Sequence, residues 1–228
     1  MFHPVDHPLE RGWVGRVDGD RVVQLAAQTL QSFFTGGGAA REHAVYPLAA
    51  VRLLAPVLHP PAVRAFDERG AFEFRNPASI VGPDATVGTA STLELLPRLA
   101  AVVGVDGAIG GYTLCADWRR PEARPPKDRD FALATGPVVV TQDELDGAPS
   151  ELVVRVGGEE RARASLDAFD WDGARELALA GTRLFPGDLL VGPVAGPSVE
   201  VDSPRVVELA YPAIGTLRQL VGDAGRAA

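Results

Sequence analysis

The stretch from Glu94 to Thr141, ELLPRLAAVVGVDGAIGGYTLCADWRRPEARPPKDRDFALATGPVVVT, decides how the chain is read. It runs as an apolar strand from Leu96 to Val103, a turn around Asp106–Gly107, a second strand from Gly110 to Cys115, and then Asp117. A Pro/Arg-rich excursion follows, then Lys127, Asp130 and a third strand from Gly136 to Thr141. Short apolar runs bounded by Gly and Asp are the pattern of buried strands. Carboxylates on neighbouring strands beside a lysine would make a site. Here the first strand carries Leu96 and Arg98 where acids would be sought.

Outward from this stretch the chain continues as short β segments. Trp13 to Val17 and Arg21 to Leu25 alternate as strands around the hairpin signal Asp18-Gly19-Asp20. Residues 26–35 have helical spacing and end at Gly36-Gly37-Gly38, read as a cap and loop. Val51 to Val57 reads as a strand, and residues 62–75 as a second hairpin turning at Glu68-Arg69-Gly70. Beyond Thr141, Glu151 to Val156 and Glu159 to Arg163 flank a Gly157-Gly158 turn. Asp172 to Leu184 is the best helix candidate. Leu189 to Val191, Val199 to Val201, Val206 to Ala210 and Ile214 to Leu220 complete the strands. The expectation is an α+β, β-rich fold: a small N-terminal α+β module over residues 1–50, a main domain over 51–222, and a frayed tail at 223–228.

Composition narrows the function classes. The chain has 228 residues, 46% apolar and 23% charged, enough for one sizeable core. A net charge of −8 with no basic stripe argues against nucleic acid as a partner. The single cysteine, Cys115, cannot form an internal disulfide, which favours the cytoplasm. The N-terminal residues lack a signal-peptide pattern, and no apolar run approaches a membrane span, so no membrane partner is expected.

The order of motifs resembles the fumarylacetoacetate hydrolase family over Val51 to Val221. The phrases that carry it are VRLLAPV (51–57), FRNPASIVGP (74–83), LAAVVG (99–104), GGYTLCAD (110–117), KDRDFALATGPVVVT (127–141), VRVGGEERA (154–162), FPGDLLVG (185–192) and IGTLRQLV (214–221). The resemblance implies a mixed, highly twisted β fold, usually homodimeric. It also implies C–C hydrolysis, decarboxylation, hydration or tautomerisation of small oxo-acids with a divalent metal, Mg²⁺ or Ca²⁺. Such a cation needs several carboxylate oxygens, polarises the substrate and stabilises an enolate.

Set against that pattern, this chain departs at most reactive positions. Counted back from Gly104, the two strand glutamates of the family fall on Leu96 and Arg98. The loop that carries the family's histidine is deleted, Pro61 leading almost directly to Phe74, and no histidine follows His59. The late threonine-glycine-threonine phrase reads Val191-Gly192-Pro193. Asp117, Lys127, Asp130, Ala195 and Gly196 match. The expectation is a divergent member with no metal cofactor and Asp117 as a relic ligand. Arg98, Lys127 and Asp130 are the candidate catalytic residues. Arg98, Lys127, Gly192, Ala195 and Gly196 are the candidate contacts to a small oxo-acid.

Each residue also has a plainer reading. Asp117 would pair with Arg98 or Lys127, and Lys127 with Asp130, as structural ion pairs. Glu94, on the same strand face as Leu96, is a displaced ligand or a solvated strand-start acid. His3 and His7 read as solvated, His59 and Asp67 with Glu68 as turn residues, and Cys115 as a small buried apolar residue. The alternatives to a metal-free enzyme or binding protein are a non-catalytic partner of an active homologous subunit and a conventional metal-dependent enzyme with displaced ligands. Assembly as a homodimer, or with such a subunit, is expected.

Overall fold

The structure is a computed structural model that describes residues 1–88, 91–145, 151–166 and 169–222. The expected frayed tail lies outside the described residues. In chain order, β1 (Phe2–Pro4), β2 (Gly15–Asp18), β3 (Arg21–Leu25), α1 (Leu30–Thr35), β4 (Glu42–Pro47) and β5 (Val51–Leu53) come first. Next are β6 (Val63–Phe66), β7 (Phe72–Arg75), β8 (Ile80–Val81), β9 (Thr86–Gly88), β10 (Leu93–Val103), β11 (Ile109–Arg119), β12 (Leu133–Val140) and α2 (Gln142–Leu145). The last are β13 (Glu151–Val156), β14 (Glu159–Ser165), α3 (Trp171–Leu179), β15 (Leu189–Val191), β16 (Val199–Val201), β17 (Arg205–Tyr211) and β18 (Gly215–Gly222).

Among the described residues these strands form four sheets. At the N-terminus, β2, β3 and β4 make a three-stranded meander, and β1 pairs with β5. The central mixed sheet runs β7-β6-β15-β10-β11-β12-β8, with β16 also on β10. A second sheet runs β14-β13-β17-β18-β9. This is the β-rich, twisted mixed architecture expected from the sequence.

Both faces of the β10–β11 pair are buried, because its residues alternate across the sheet. Leu95, Leu99 and Ala101, with Leu114, Ala116 and Trp118, pack toward the second sheet, against Leu152, Leu209 and Leu217. The Trp118 indole N–H donates to Gln219 Oε1 across that interface, so the buried ring keeps its polar handle satisfied. The opposite face carries Leu96, Arg98 and Ala100 facing Asp117, Cys115 and Thr113.

Partner strands meet β10 in two pieces on one side. β15 pairs with residues 100–102 and β16 with residues 93–95. The intervening chain is strapped on by Gly192 N donating to Leu99 O (2.8 Å) and Ala195 N donating to Pro97 O (2.7 Å). Pro97 has no amide hydrogen to give a neighbour, which suits a position where regular pairing lapses.

Boundaries moved where local chemistry overrode pattern. The helix expected over Asp172 to Leu184 is Trp171–Leu179. Asp170 caps it by accepting from Gly173 N at 2.9 Å. Gly181, at φ +69°, takes the left-handed conformation that follows a helix end. The strand expected over Val51 to Val57 stops at Leu53. His3, read as solvated, is instead buried in β1, its Nδ1 2.8 Å from Pro4 O.

Candidate functional site

Asp117 stands at the centre of the site. It lies near the end of β11 opposite Leu96, with no exposed surface. A buried carboxylate needs charged partners, and Asp117 has three. Arg75, from β7, grips it with both arms: Nη1 donates to Oδ2 at 2.8 Å and Nη2 to Oδ1 at 2.9 Å. The Nε of Arg98 lies 3.2 Å from Oδ2, close enough for an ion pair although not aligned as a hydrogen bond. Arg129 Nη1 stands 3.8 Å from the same oxygen. The planar two-armed grip of Arg75 is the strongest of these. Arg75 also donates from Nη2 to Arg129 O at 2.6 Å, tying the 120s excursion to the sheet.

Arg98 is held by more than charge. Its Nη1 donates to Phe66 O at 3.1 Å and to Gly192 O at 2.8 Å, bridging β6 and the chain after β15. Its side chain lines a cavity. Burial pushes the guanidinium down from its usual range, and the charge of Asp117 opposes that push. The guanidinium stays charged at neutral pH.

The cavity over Arg98 measures about 560 Å³ and is lined by Phe66, Phe72, Glu73, Arg98, Arg129 and Val194, together with the hairpin turn of β6–β7. On that turn Asp67 accepts from the amides of Arg69 and Ala71, both at 2.9 Å, which is the turn role expected for it. Across the mouth, Glu73 Oε1 meets Arg129 Nη1 at 3.1 Å and Arg75 Nη1 at 3.9 Å.

The remaining candidates fall elsewhere. Lys127 and Asp130 pair at 2.5 Å on the exposed side of the excursion. Asp130 also accepts from Asn76 Nδ2 at 2.7 Å. The Lys127 hydrogen bond, and then that of Asn76, hold the Asp130 carboxyl below the usual range. Neither residue lines the cavity of Arg98, so Lys127 does not converge with Arg98. Lys127 is not a partner of Asp117 either. The Gly192 carbonyl is taken by Arg98, and Ala195 and Gly196 sit along the strap over β10 rather than on the cavity wall. Glu94 meets Arg119 at 3.1 Å and accepts from Ser198 Oγ at 2.6 Å, so it is engaged away from Asp117. Cys115 is buried, and burial raises its thiol to about 12.

Two residues that the sequence reading passed over complete the cluster. Arg75 lies inside the motif FRNPASIVGP, and Arg129 lies between Lys127 and Asp130. The available signal was the buried acid: a carboxylate on a core strand needs nearby cations, and both arginines stand in quoted motifs.

No curated protein matches the chain in sequence. The family model described as "Rv2993c-like, N-terminal" matches residues 12–56. Among solved structures, maleylpyruvate hydrolase from Sphingobium sp. SYK-6 superposes with a TM-score of 0.79 at 20% identity, over 94% of this chain and 98% of that one. The same enzyme is known in complex with manganese(II) and pyruvate. The 5-carboxymethyl-2-hydroxymuconate delta-isomerase of Mycobacterium smegmatis gives 0.74 at 23% identity, over 92% of this chain and 94% of that one. The 2-hydroxyhepta-2,4-diene-1,7-dioate isomerase of Mycobacterium marinum gives 0.74 at 22%, over 94% of each. Among the described residues no helix is long and apolar enough to cross a membrane. With its central twisted sheet and near full-length superposition on these enzymes, the chain has the fumarylacetoacetate-hydrolase-like fold, and its N-terminal segment is Rv2993c-like.

Proposed function

We propose that the chain binds a small oxo-acid or its enol in the cavity over Arg98, with fixed guanidinium charge where the resemblance would put a divalent cation. One observation carries this reading. Around the buried acid, three guanidinium groups (Arg75, Arg98, Arg129) crowd on Asp117, with Glu73 and Asp128 as the further acids of the cluster, and two of the three, Arg98 and Arg129, line an open cavity. Guanidinium groups that border a cavity favour a carboxylate or enolate, and a fixed cation acts more strongly in a partly dry site than in water. The planar fork of arginine suits a carboxylate. Phe66 and Phe72 offer apolar faces to an unsaturated carbon chain, and about 560 Å³ is ample for a small acid.

A divalent ion does not fit this donor set. Mg²⁺ or Ca²⁺ asks for several oxygen ligands, while both oxygens of Asp117 face guanidinium groups. Among the described residues no three His, Cys, Asp or Glu side chains gather as a metal site would require. No step is therefore assigned to a metal. That the fold is shared with hydrolases and isomerases named for such acids supports the ligand class.

The test is calorimetric titration with pyruvate in chelator. Binding without metal, unchanged by Mg²⁺ and lost in Arg98→Ala, is expected. Micromolar Mg²⁺ or Mn²⁺ binding lost on Asp117→Ala would overturn the reading. A structural role beside an active homologous subunit is the second reading. The two backbone carbonyls that lock Arg98 into the wall favour it, and it predicts that the chain alone binds no oxo-acid.

A further inference from the structure

We propose that Glu73 is the specificity-determining residue of this cavity: its carboxylate occupies the guanidinium of Arg129 that a ligand's carboxylate would use, and binding proceeds by exchange of one anion for the other. The proposal rests on the oxo-acid reading above and names what that reading leaves open, namely which acids enter.

The geometry is specific. Glu73 projects from β7, the edge strand of the central sheet. Its Oε1 sits 3.1 Å from Arg129 Nη1. The side chain of Glu73 is 54% exposed and that of Arg129 only 26%. The acid is thus the partner free to swing into water, while the guanidinium stays seated beside Asp117 and Arg75. Release of Glu73 leaves the core intact, because Arg75 keeps both of its bonds to Asp117. Asp128, 3.7 Å from Arg129 Nε, engages another nitrogen of that guanidinium, and the other charged groups at the mouth, Asp67, Glu68 and Arg69, lie on the hairpin turn in water, where salt screens them.

Glu73 and Arg129 also share a second duty. Both line the cavity over Arg98, and both line a neighbouring cavity of about 380 Å³ bounded by Arg75, Asn76, Pro125, Pro126, Asp128 and Asp130. Their ion pair is part of the wall between the two. An acid that displaces Glu73 therefore gains a seat on Arg129 and opens the way to the second space. A one-ended acid uses the seat alone; a longer, two-ended acid can use both.

The experiment is calorimetric titration of pyruvate and of 2-oxoglutarate into the full chain, into Glu73→Gln, into Arg129→Gln and into the double variant, at low and high salt. Glu73→Gln should bind pyruvate more tightly, by up to about fivefold, the reach of a partly exposed ion pair. The gain should be larger for 2-oxoglutarate and should shrink as salt rises. In the Arg129→Gln background the gain should vanish, because the two residues act as one pair. If the unaltered chain binds pyruvate and Glu73→Gln binds it equally or less well, Glu73 is not the competitor and the proposal falls while the oxo-acid reading stands. A gain that persists without Arg129 also overturns it, since the contested seat would lie elsewhere. If no form binds either acid, the oxo-acid reading fails and takes the proposal with it.

Discussion

Two buried aspartates at the central sheet, Asp188 and Asp117, are met by buried arginines, and the two arrangements are built on different plans. Arg64 on β6 meets Asp188, just before β15, through one contact at 3.2 Å, and Asp188 also accepts from Phe185 N. Arg64 rests on Phe72 and Phe74, with ring centroids 5.9 and 5.4 Å away. One cation meets one anion there, and neither lines the cavity over Arg98. At Asp117 three guanidinium groups meet two buried carboxylates, Asp117 and Asp128, with Glu73 adding a third acid at the rim. The first pair is matched one to one. The second joins several arginines and acids in one network and opens on a cavity, and that difference, rather than burial or residue type, separates a structural pair from a candidate site.

The largest expected effect separates the two at their acids. Asp117→Ala strands Arg75 and Arg98 without a counter-charge, and breaking such a buried arrangement costs about 3–5 kcal/mol in denaturant unfolding. Asp188→Ala should sit at or below the lower end, about 3 kcal/mol, because the aromatic rings still receive the cation of Arg64. An equal loss at both would erase the contrast. Arg98→Ala should cost less, about 1.5–3 kcal/mol, the range for hydrogen bonds to a charged group. Asp117 keeps the grip of Arg75 in that variant, yet binding of pyruvate should be lost.

Smaller effects sharpen the picture. Cys115 sits opposite Arg98 with its thiol raised to about 12 by burial. It should resist thiol reagents at pH 8 in the native protein and react at once in denaturant. Because its folded value lies above the unfolded one, this group favours folding at neutral pH. That support is lost as pH rises from the ordinary thiol range toward about 12. The smallest effect is at Lys127. Lys127→Ala should leave the thermal midpoint nearly unchanged, since the lysine side of the pair is exposed. The Asp130 titration, followed by NMR, should move up toward the usual carboxylate range.

The hairpins and the long β10–β11 pair were legible because alternation, apolar runs and Gly/Asp turns are local signals. Leu96 and Arg98 on one face opposite Asp117 followed from that same alternation. Arg75 was not legible as the principal partner of Asp117, because the contact spans 42 positions and depends on how β7 sits at the sheet edge. Lys127 and Asp130 drew attention over Arg129 for a related reason. Three neighbours in sequence point in different directions, and only tertiary placement decides which one reaches inward. The helix ended early at Leu179, two residues before Gly181, because a backbone preference there outweighed an apolar periodicity that continued past it.

The interrupted edge of β10 has a consequence for how this protein can change. Residues 192–198 span the gap between two short strands that are both anchored on the same long one. Val194, within that span, lines the cavity. Insertions or deletions between the two anchors would reshape the wall while each anchor keeps its register. The scaffold thus separates the part that must stay constant from the part free to drift, and new ligand preferences are accessible there through changes of length as well as of residue.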